Sequence, residues 1–220
     1  MSVQTVEQAI TNGRLEDVTA LLREQPELAL AATQSGVSAL MPALYHGKAA
    51  IAEALAAAVD DLPWFEAVAL GRLETVIAQH RAQPEQLQAW SADGFQALHL
   101  AAFFARKEVL NYLLSQHADP NQRARQPAAM TALHSAAASR QADLVIALLQ
   151  AGADPNLQQG GGFTALMSAA LHGNLAMIDA LLAAGADPAL RAEDGRSAAA
   201  MAEQGGHAEA RVRLESASCG

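Results

Sequence analysis

Three stretches of this chain are versions of one another. They are "FQALHLAAFFARKEVLNYLLSQHADPN" (95–121), "MTALHSAAASRQADLVIALLQAGADPN" (130–156) and "FTALMSAALHGNLAMIDALLAAGADPA" (163–189). Each runs from a polar cap through an Ala-Leu core to a turn, a second apolar helix and a Gly/His-Ala-Asp-Pro end. A unit this short cannot bury its apolar face alone, so copies in series are driven to stack into a solenoid. Leu98, Leu133, Leu166 and then Ala199 hold one slot, in steps of 35, 33 and 33 residues. Upstream, "GRLEDVTALLREQPE" (Gly13–Glu27) and "GRLETVIAQHRAQPE" (Gly71–Glu85) lie 58 apart, as do Gly36 and Gly94. The equivalent slots there are Val6, Leu40 and Trp64, giving steps of 34, 24 and 34. The count is seven units, approximately 1–34, 35–60, 61–92, 93–126, 127–159, 160–192 and 193–217. The junction between the second and third is short by about a fingertip of chain.

A period near 33 with T-A-L-H, A-A, L-L and G-A-D-P-N resembles the ankyrin repeat. The tetratricopeptide pattern has a similar period but lacks the Gly-Ala-Asp-Pro turn. The resemblance spans nearly all of 1–220 as one domain and is weakest in the first, third and seventh units. It implies an all-α solenoid of helix-turn-helix units with short β-turn fingers, the finger between units two and three being shortened.

The motif residues also have local physical roles. Thr131 and Thr164 are placed to cap first helices, and Pro63 suits a first turn, where a missing N–H costs nothing. The pairs Ala101-Ala102, Ala136-Ala137 and Ala169-Ala170 let neighbouring helices approach. Gly152 and Gly185 suit left-handed helix ends, and Pro155 and Pro188 prevent resumption. Ala105 and Arg140 stand in the slot held elsewhere by Gly13, Gly47, Gly71 and Gly173. A side chain there either tolerates a left-handed backbone at some cost or marks a different turn. In the last unit Arg211 and Glu215 replace Ile178 and Leu182, the polar outer face expected of a capping unit where the array ends.

Composition narrows the function. The chain is 51% apolar but only 4% aromatic, with much Ala, which favours closely packed short helices over a sandwich or barrel. Its formal charge of −9 argues against nucleic acid, whose phosphates need a positive footprint. The only cysteine, Cys219, excludes a disulfide framework and a cysteine zinc site. "MSVQTVEQAI" has neither the basic nor the apolar part of a signal peptide, and "AAIAEALAAAV" is too short to span a bilayer. The expectation is a soluble cytoplasmic protein, and the Ala- and Gln-rich composition suggests a bacterial one.

No catalytic, cofactor or metal site emerges. His99 and His134 sit in the T-A-L-H slot, where hydrogen bonds within the turn are expected to hold the imidazole. His46 and His172 share a different slot, four units apart. At roughly 8–10 Å per helix they are about 30–40 Å apart, whereas zinc ligands meet at about 2 Å. Gly160-Gly161-Gly162 lacks the Lys of a phosphate loop, and Ser38 lacks the second glycine of a nucleophile elbow. Asp60-Asp61 reads as a helix-start pair favoured by capping and the dipole.

Phe103-Phe104 is the feature the periodicity leaves over, because adjacent helical positions point about 100° apart and one narrow stripe does not take both. In the ankyrin register the two residues after the Ala-Ala pair face the concave groove. That slot holds Tyr45-His46, Ala69-Leu70, Phe103-Phe104, Ala138-Ser139 and Leu171-His172, while the fingers add Val37, Trp90, Phe95, Met130, Phe163 and Arg196. The ends, Thr11-Asn12 and Gln204-Gly205, are polar. An apolar centre with a polar rim is how binding patches are arranged. The expected partner surface is therefore Tyr45, His46, Leu70, Trp90, Phe95, Phe103, Phe104, Met130, Leu171 and His172. Phe95 and Phe163 read equally well as packing between fingers, and Trp64 and Phe65 as core at the short junction. The family resemblance implies that the partner is another protein, bound by a monomer or a weakly self-associating chain. The competing reading is a small-molecule or catalytic cleft near Tyr45, His46 and Leu70, in the notch left by the shortened finger.

Overall fold

The structure, a computed structural model, describes residues 3–33 and 36–218, so Cys219 lies outside the described residues. Among those residues it is built of fourteen α-helices without a strand. Isolated β-bridges pair Ala32 with Ser38 and Arg191 with Ser197. The chain divides into two compact lobes, Met1–Gly94 and Phe95–Gly220.

The N-terminal lobe holds α1 (Val3–Thr11), α2 (Leu15–Glu24), α3 (Leu40–Tyr45), α4 (Ala49–Ala57), α5 (Trp64–Leu70) and α6 (Leu73–Ala82). Short 3₁₀ turns follow α2 and α6, each started by a proline, Pro26 and Pro84. Within this lobe α1 packs on α3 and α3 on α5, and each of the three also packs on the helix after it. Val6, Ile10, Val18, Leu40, Ile51 and Leu55 form the core. Residues 58–63 alone link α4 to α5, whereas 83–96 separate α6 from the next helix.

The C-terminal lobe holds α7 (Ala97–Phe103), α8 (Lys107–Ser115), α9 (Ala132–Ala138), α10 (Ala142–Gln150), α11 (Ala165–Leu171), α12 (Leu175–Ala183), α13 (Ala198–Gln204) and α14 (Ala208–Ala217). Its helices form two rows, α7-α9-α11-α13 and α8-α10-α12-α14, each pair joined by a tight turn. The alanine pairs at 101-102, 136-137 and 169-170 are fully buried, as the close approach of the first row requires.

Polar ladders tie successive pairs together. Asn121 Nδ2 donates to the Gly152 carbonyl at 2.9 Å, and its Oδ1 accepts from the Asp154 N–H at 2.8 Å. Asn156 repeats this one step on, with Gly185 at 3.0 Å and Asp187 at 2.7 Å. At the hairpin tips Gly160 N–H donates to Ala128 O (2.6 Å) and Glu193 N–H to Gly161 O (2.8 Å).

The caps follow the sequence in part. Thr164 Oγ1 accepts from Met167 N–H at 3.3 Å, and Asn174 caps α12 the same way. Pro63, expected inside the first turn of α5, is the N-cap residue itself, with no side-chain cap bond. Asp60 and Asp61 are exposed ahead of it and do not cap the helix. Ala105 and Arg140 keep the left-handed backbone of the glycine slot, at φ 56° and 60°. Arg211 and Glu215 pair with each other at 2.9 Å on α14, where the equivalent Ile178 of α12 is fully buried.

Candidate functional site

The T-A-L-H histidines set the floor of the C-terminal lobe's hairpin side. The Thr131 N–H donates to His134 Nδ1 at 3.2 Å, so Nε2 carries the proton and donates to the Phe163 carbonyl, also at 3.2 Å. His99 repeats the pattern, accepting from Gln96 N–H at Nδ1 and facing Gln122 O (3.0 Å) and Met130 O (3.2 Å) through Nε2. Each imidazole thus staples a helix start to the next hairpin. Burial lowers both pKa values, that of His134 to about 4. Neither nitrogen is left over for a metal.

On this floor stand the large apolar groups. Phe103, at the end of α7, is 40% exposed, and Phe104 is half-buried beside it, their rings edge to face at 5.1 Å. Leu171, in the equivalent position of α11, is 36% exposed. On α9 between them that position is Ala138. The missing bulk leaves a depression of about 230 Å³ lined by Met130, Ala138, Phe163, Met167, Leu171 and Met201, with Gln159 and Ser168 supplying polar groups. Phe163 is also covered by Arg196, whose guanidinium carbon lies 5.7 Å from the ring centre. Phe95 is half-buried and tilts against His99, ring centres 6.1 Å apart. His172 is half-buried, its pKa lowered by burial, then by the charges of Arg140 and His207. Residues 95–104, 122–139 and 157–172, which build this face, contain no Asp or Glu. Arg123, Arg125 and Arg140 are exposed around it.

The N-terminal lobe departs from the expectation. Leu70, expected to face the groove, is only 7% exposed and belongs to the core cluster, with Leu44, Val59 and Leu62 packed against that cluster. Tyr45 is half-buried and donates its hydroxyl hydrogen to Asp93 at 2.6 Å. Its pKa is pushed far up by burial, then by Asp93 and the charge of Glu66. His46 is exposed and Trp90 half-buried. Trp64 is buried against His80, as a core residue at the short link, whereas Phe65 is half-buried.

A second depression, of about 220 Å³, lies within this lobe between Gly36–Ser38, α5 and Ser91–Asp93. It touches neither Tyr45, His46 nor Leu70. Sequence reasoning passed over Glu66, although a signal was present. Its slot, two residues after the Leu slot, holds Gln8, Pro42, Leu100, Ser135, Ser168 and Met201 in the other units, and Glu66 alone is charged. A larger open hollow of about 300 Å³ by Gln8, Leu21 and Glu24 has its charges Arg14 and Asp17 already paired at 3.0 Å.

Among the described residues no three His, Cys, Asp or Glu side chains converge as a metal site, and no helix is long and apolar enough to cross a membrane. No curated protein matches the chain. The family model described as "Ankyrin repeats (3 copies)" matches residues 6–124, 64–159 and 98–192, overlapping spans that together run from Val6 to Ala192. That span takes in the duplicated segments, the histidine staples and the asparagine ladder, and the chain belongs to the ankyrin-repeat family.

Proposed function

We propose that this chain is a non-enzymatic protein-binding module that docks a partner on the hairpin and first-row face of the lobe Phe95–Gly220. Ankyrin repeats are generally protein–protein interaction modules. The left-handed turn residues Gly13, Gly47, Gly71, Ala105, Arg140, Gly173 and Gly206 support a reading of seven repeats. The link 58–63 then stands where the third repeat would carry its finger.

The observation that carries the docking proposal is the exposure of Phe103 and Leu171 in equivalent positions of α7 and α11, with a hollow lined by Ala138 and Leu171 next to them. Exposed rings cost solvation in the free protein, and truncating such anchors at a protein interface costs about 2 kcal/mol or more. The asparagine ladder and histidine staples hold the face rigid, so little ordering entropy is lost on binding. Phe104, Met130, His172 and Phe95 surround the anchors as supporting contacts. In the N-terminal lobe Tyr45, His46 and Trp90 are secondary candidates, and Leu70 contacts no partner.

The test is quantitative capture from native lysate with wild type and a Phe103→Ala/Leu171→Ala variant. The proposal expects specific proteins retained by wild type to fall at least tenfold with the variant, at unchanged melting temperature. Equal retention refutes it. Light scattering across a concentration series identifies a second copy of the chain as the occupant if association depends on the same two residues.

A further inference from the structure

The hollow lined by Ala138 and Leu171 holds about 230 Å³, below the roughly 300 Å³ at which drug-sized ligand sites begin. It has room for one large side chain. Met167 and Met201, both 1% exposed, form its buried lining, and Met130 and Phe163 are half-buried beside them. Thioethers adapt their shape and make favourable contacts with aromatic rings. Gln159 and Ser168, also half-buried in the lining, have side chains without a hydrogen-bond partner among the described residues. They are available to the backbone of a segment laid across the opening.

Cations flank the hollow without carboxylates to match them. Arg123, exposed, donates to the Gln158 carbonyl at 2.6 Å and to the Ala129 carbonyl at 3.4 Å. Each acceptor is next in sequence to a lining residue, Gln159 or Met130. Arg140, also exposed, follows Ala138 by two residues, at the other end of α9. Burial and then the Arg140 charge lower the pKa of His172, the neighbour of Leu171. Among the described residues neither arginine joins an ion pair. Residues 122–140 hold three Arg and neither Asp nor Glu, in a chain of net charge −9. One unit on, Asp194 is held by Arg196 at 2.6 Å, while Glu193 and Glu203 are exposed, which bounds the basic stretch on that side. A positive patch on an otherwise acidic protein steers a negative segment to that patch and away from the rest of the surface.

We propose that the occupant of this face is an acidic segment of a partner protein, one aromatic side chain of which enters the hollow while flanking carboxylates meet Arg123 and Arg140. This rests on the docking reading above and adds to it the chemistry of the partner. A guanidinium forks onto a carboxylate through two parallel bonds. The ring meets Met130, Met167 and Met201. Exposed charge pairs are individually weak, so the arginines select and orient the segment while the ring anchors it.

The experiment is an amide NMR titration of the full chain at pH 7 with the capped peptide Glu-Glu-Phe-Glu-Glu. Its counterparts are Gln-Gln-Phe-Gln-Gln, which removes the charge, and Glu-Glu-Ala-Glu-Glu, which removes the ring. The first peptide is expected to give saturable shifts at Met130, Ala138–Arg140, Phe163 and Leu171–His172. Each counterpart should bind at least about fivefold more weakly. An Arg123→Gln/Arg140→Gln variant should bind the first peptide at least about threefold more weakly, with its spectrum and melting temperature confirming the fold. Equal binding of the glutamine peptide to wild type overturns the acidic partner, and equal binding of the alanine peptide overturns the aromatic anchor, however the variant folds. No saturation at Kd below about 10 mM overturns both. The arginine variant, run beside Phe103→Ala/Leu171→Ala in the lysate capture, separates this inference from the docking reading. Proteins lost with the second variant but kept with the first leave the docking face standing and overturn the acidic segment; proteins kept with both overturn the two together.

Discussion

Replacing His134 by methionine, the residue that Met167 places in the same slot one repeat later, separates the two things the imidazole does. At neutral pH it joins the Thr131 N–H to the Phe163 carbonyl. Methionine can do neither, and two lost hydrogen bonds at about 0.5–1.5 kcal/mol each put the variant about 1–3 kcal/mol below wild type at pH 7. The second effect runs the other way. Burial holds the His134 pKa at about 4 against an ordinary 6.5, so the unfolded chain takes the proton first as the solution is acidified. A depressed histidine pKa gives stability that is complete above about pH 6.5 and is lost down to about pH 4. At about 1.4 kcal/mol per pH unit, that loss sums to about 3 kcal/mol in wild type and is absent from the variant. Urea denaturation of both proteins between pH 7 and pH 4 measures the difference, and acid effects on carboxylates common to both cancel. The stability gap should close by about 3 kcal/mol and end near zero or reversed. A gap constant within about 0.5 kcal/mol across that range refutes the buried, neutral Nε2–H histidine.

Arg140→Gly and Ala105→Gly should each stabilise the protein by about 1 kcal/mol, because both residues hold a left-handed backbone that glycine adopts freely, and melting temperature reads the gain. Gly173→Ala should destabilise, since at φ 62° its Cβ would lie 2.4 Å from the His207 ring; a melting temperature unchanged from wild type contradicts the packing of that turn. Asn156→Ala removes the bonds to Gly185 and Asp187 and should cost about 1–3 kcal/mol, with faster amide exchange at Asp187 as the local signature. Phe103→Ala should leave stability within about 1 kcal/mol of wild type, because the ring is 40% exposed.

Much of the fold was legible because the repeat writes the same local physics several times. The left-handed slot held even at Ala105 and Arg140, since the turn is imposed by the helices on either side rather than by glycine alone. The histidine staples were legible for the same reason: a buried imidazole between a helix start and a hairpin has partners at fixed sequence offsets. The register also put Phe103 and Leu171 on an exposed face. What escaped the sequence came from the short link. Periodicity locates the 24-residue step from Leu40 to Trp64 but does not say how its neighbours pack, and that is decided between segments far apart in the chain. Thus Leu70 joins the core while Phe104, in its slot, stays half-buried. In the same way Gly36 lies close to Ala92, and a hollow forms beside Glu66.

The central claim, that a partner seats on the hairpins and first-row helices around Ala138, is tested most directly by hydrogen–deuterium exchange of the chain with and without its captured partner. The account predicts protection concentrated at Ala128–Thr131, Gln159–Thr164 and the ends of α7, α9 and α11, with the second-row helices α8, α10 and α12 unchanged. Protection confined to the second row, with the segments around Phe103 and Leu171 exchanging as in the free protein, contradicts it.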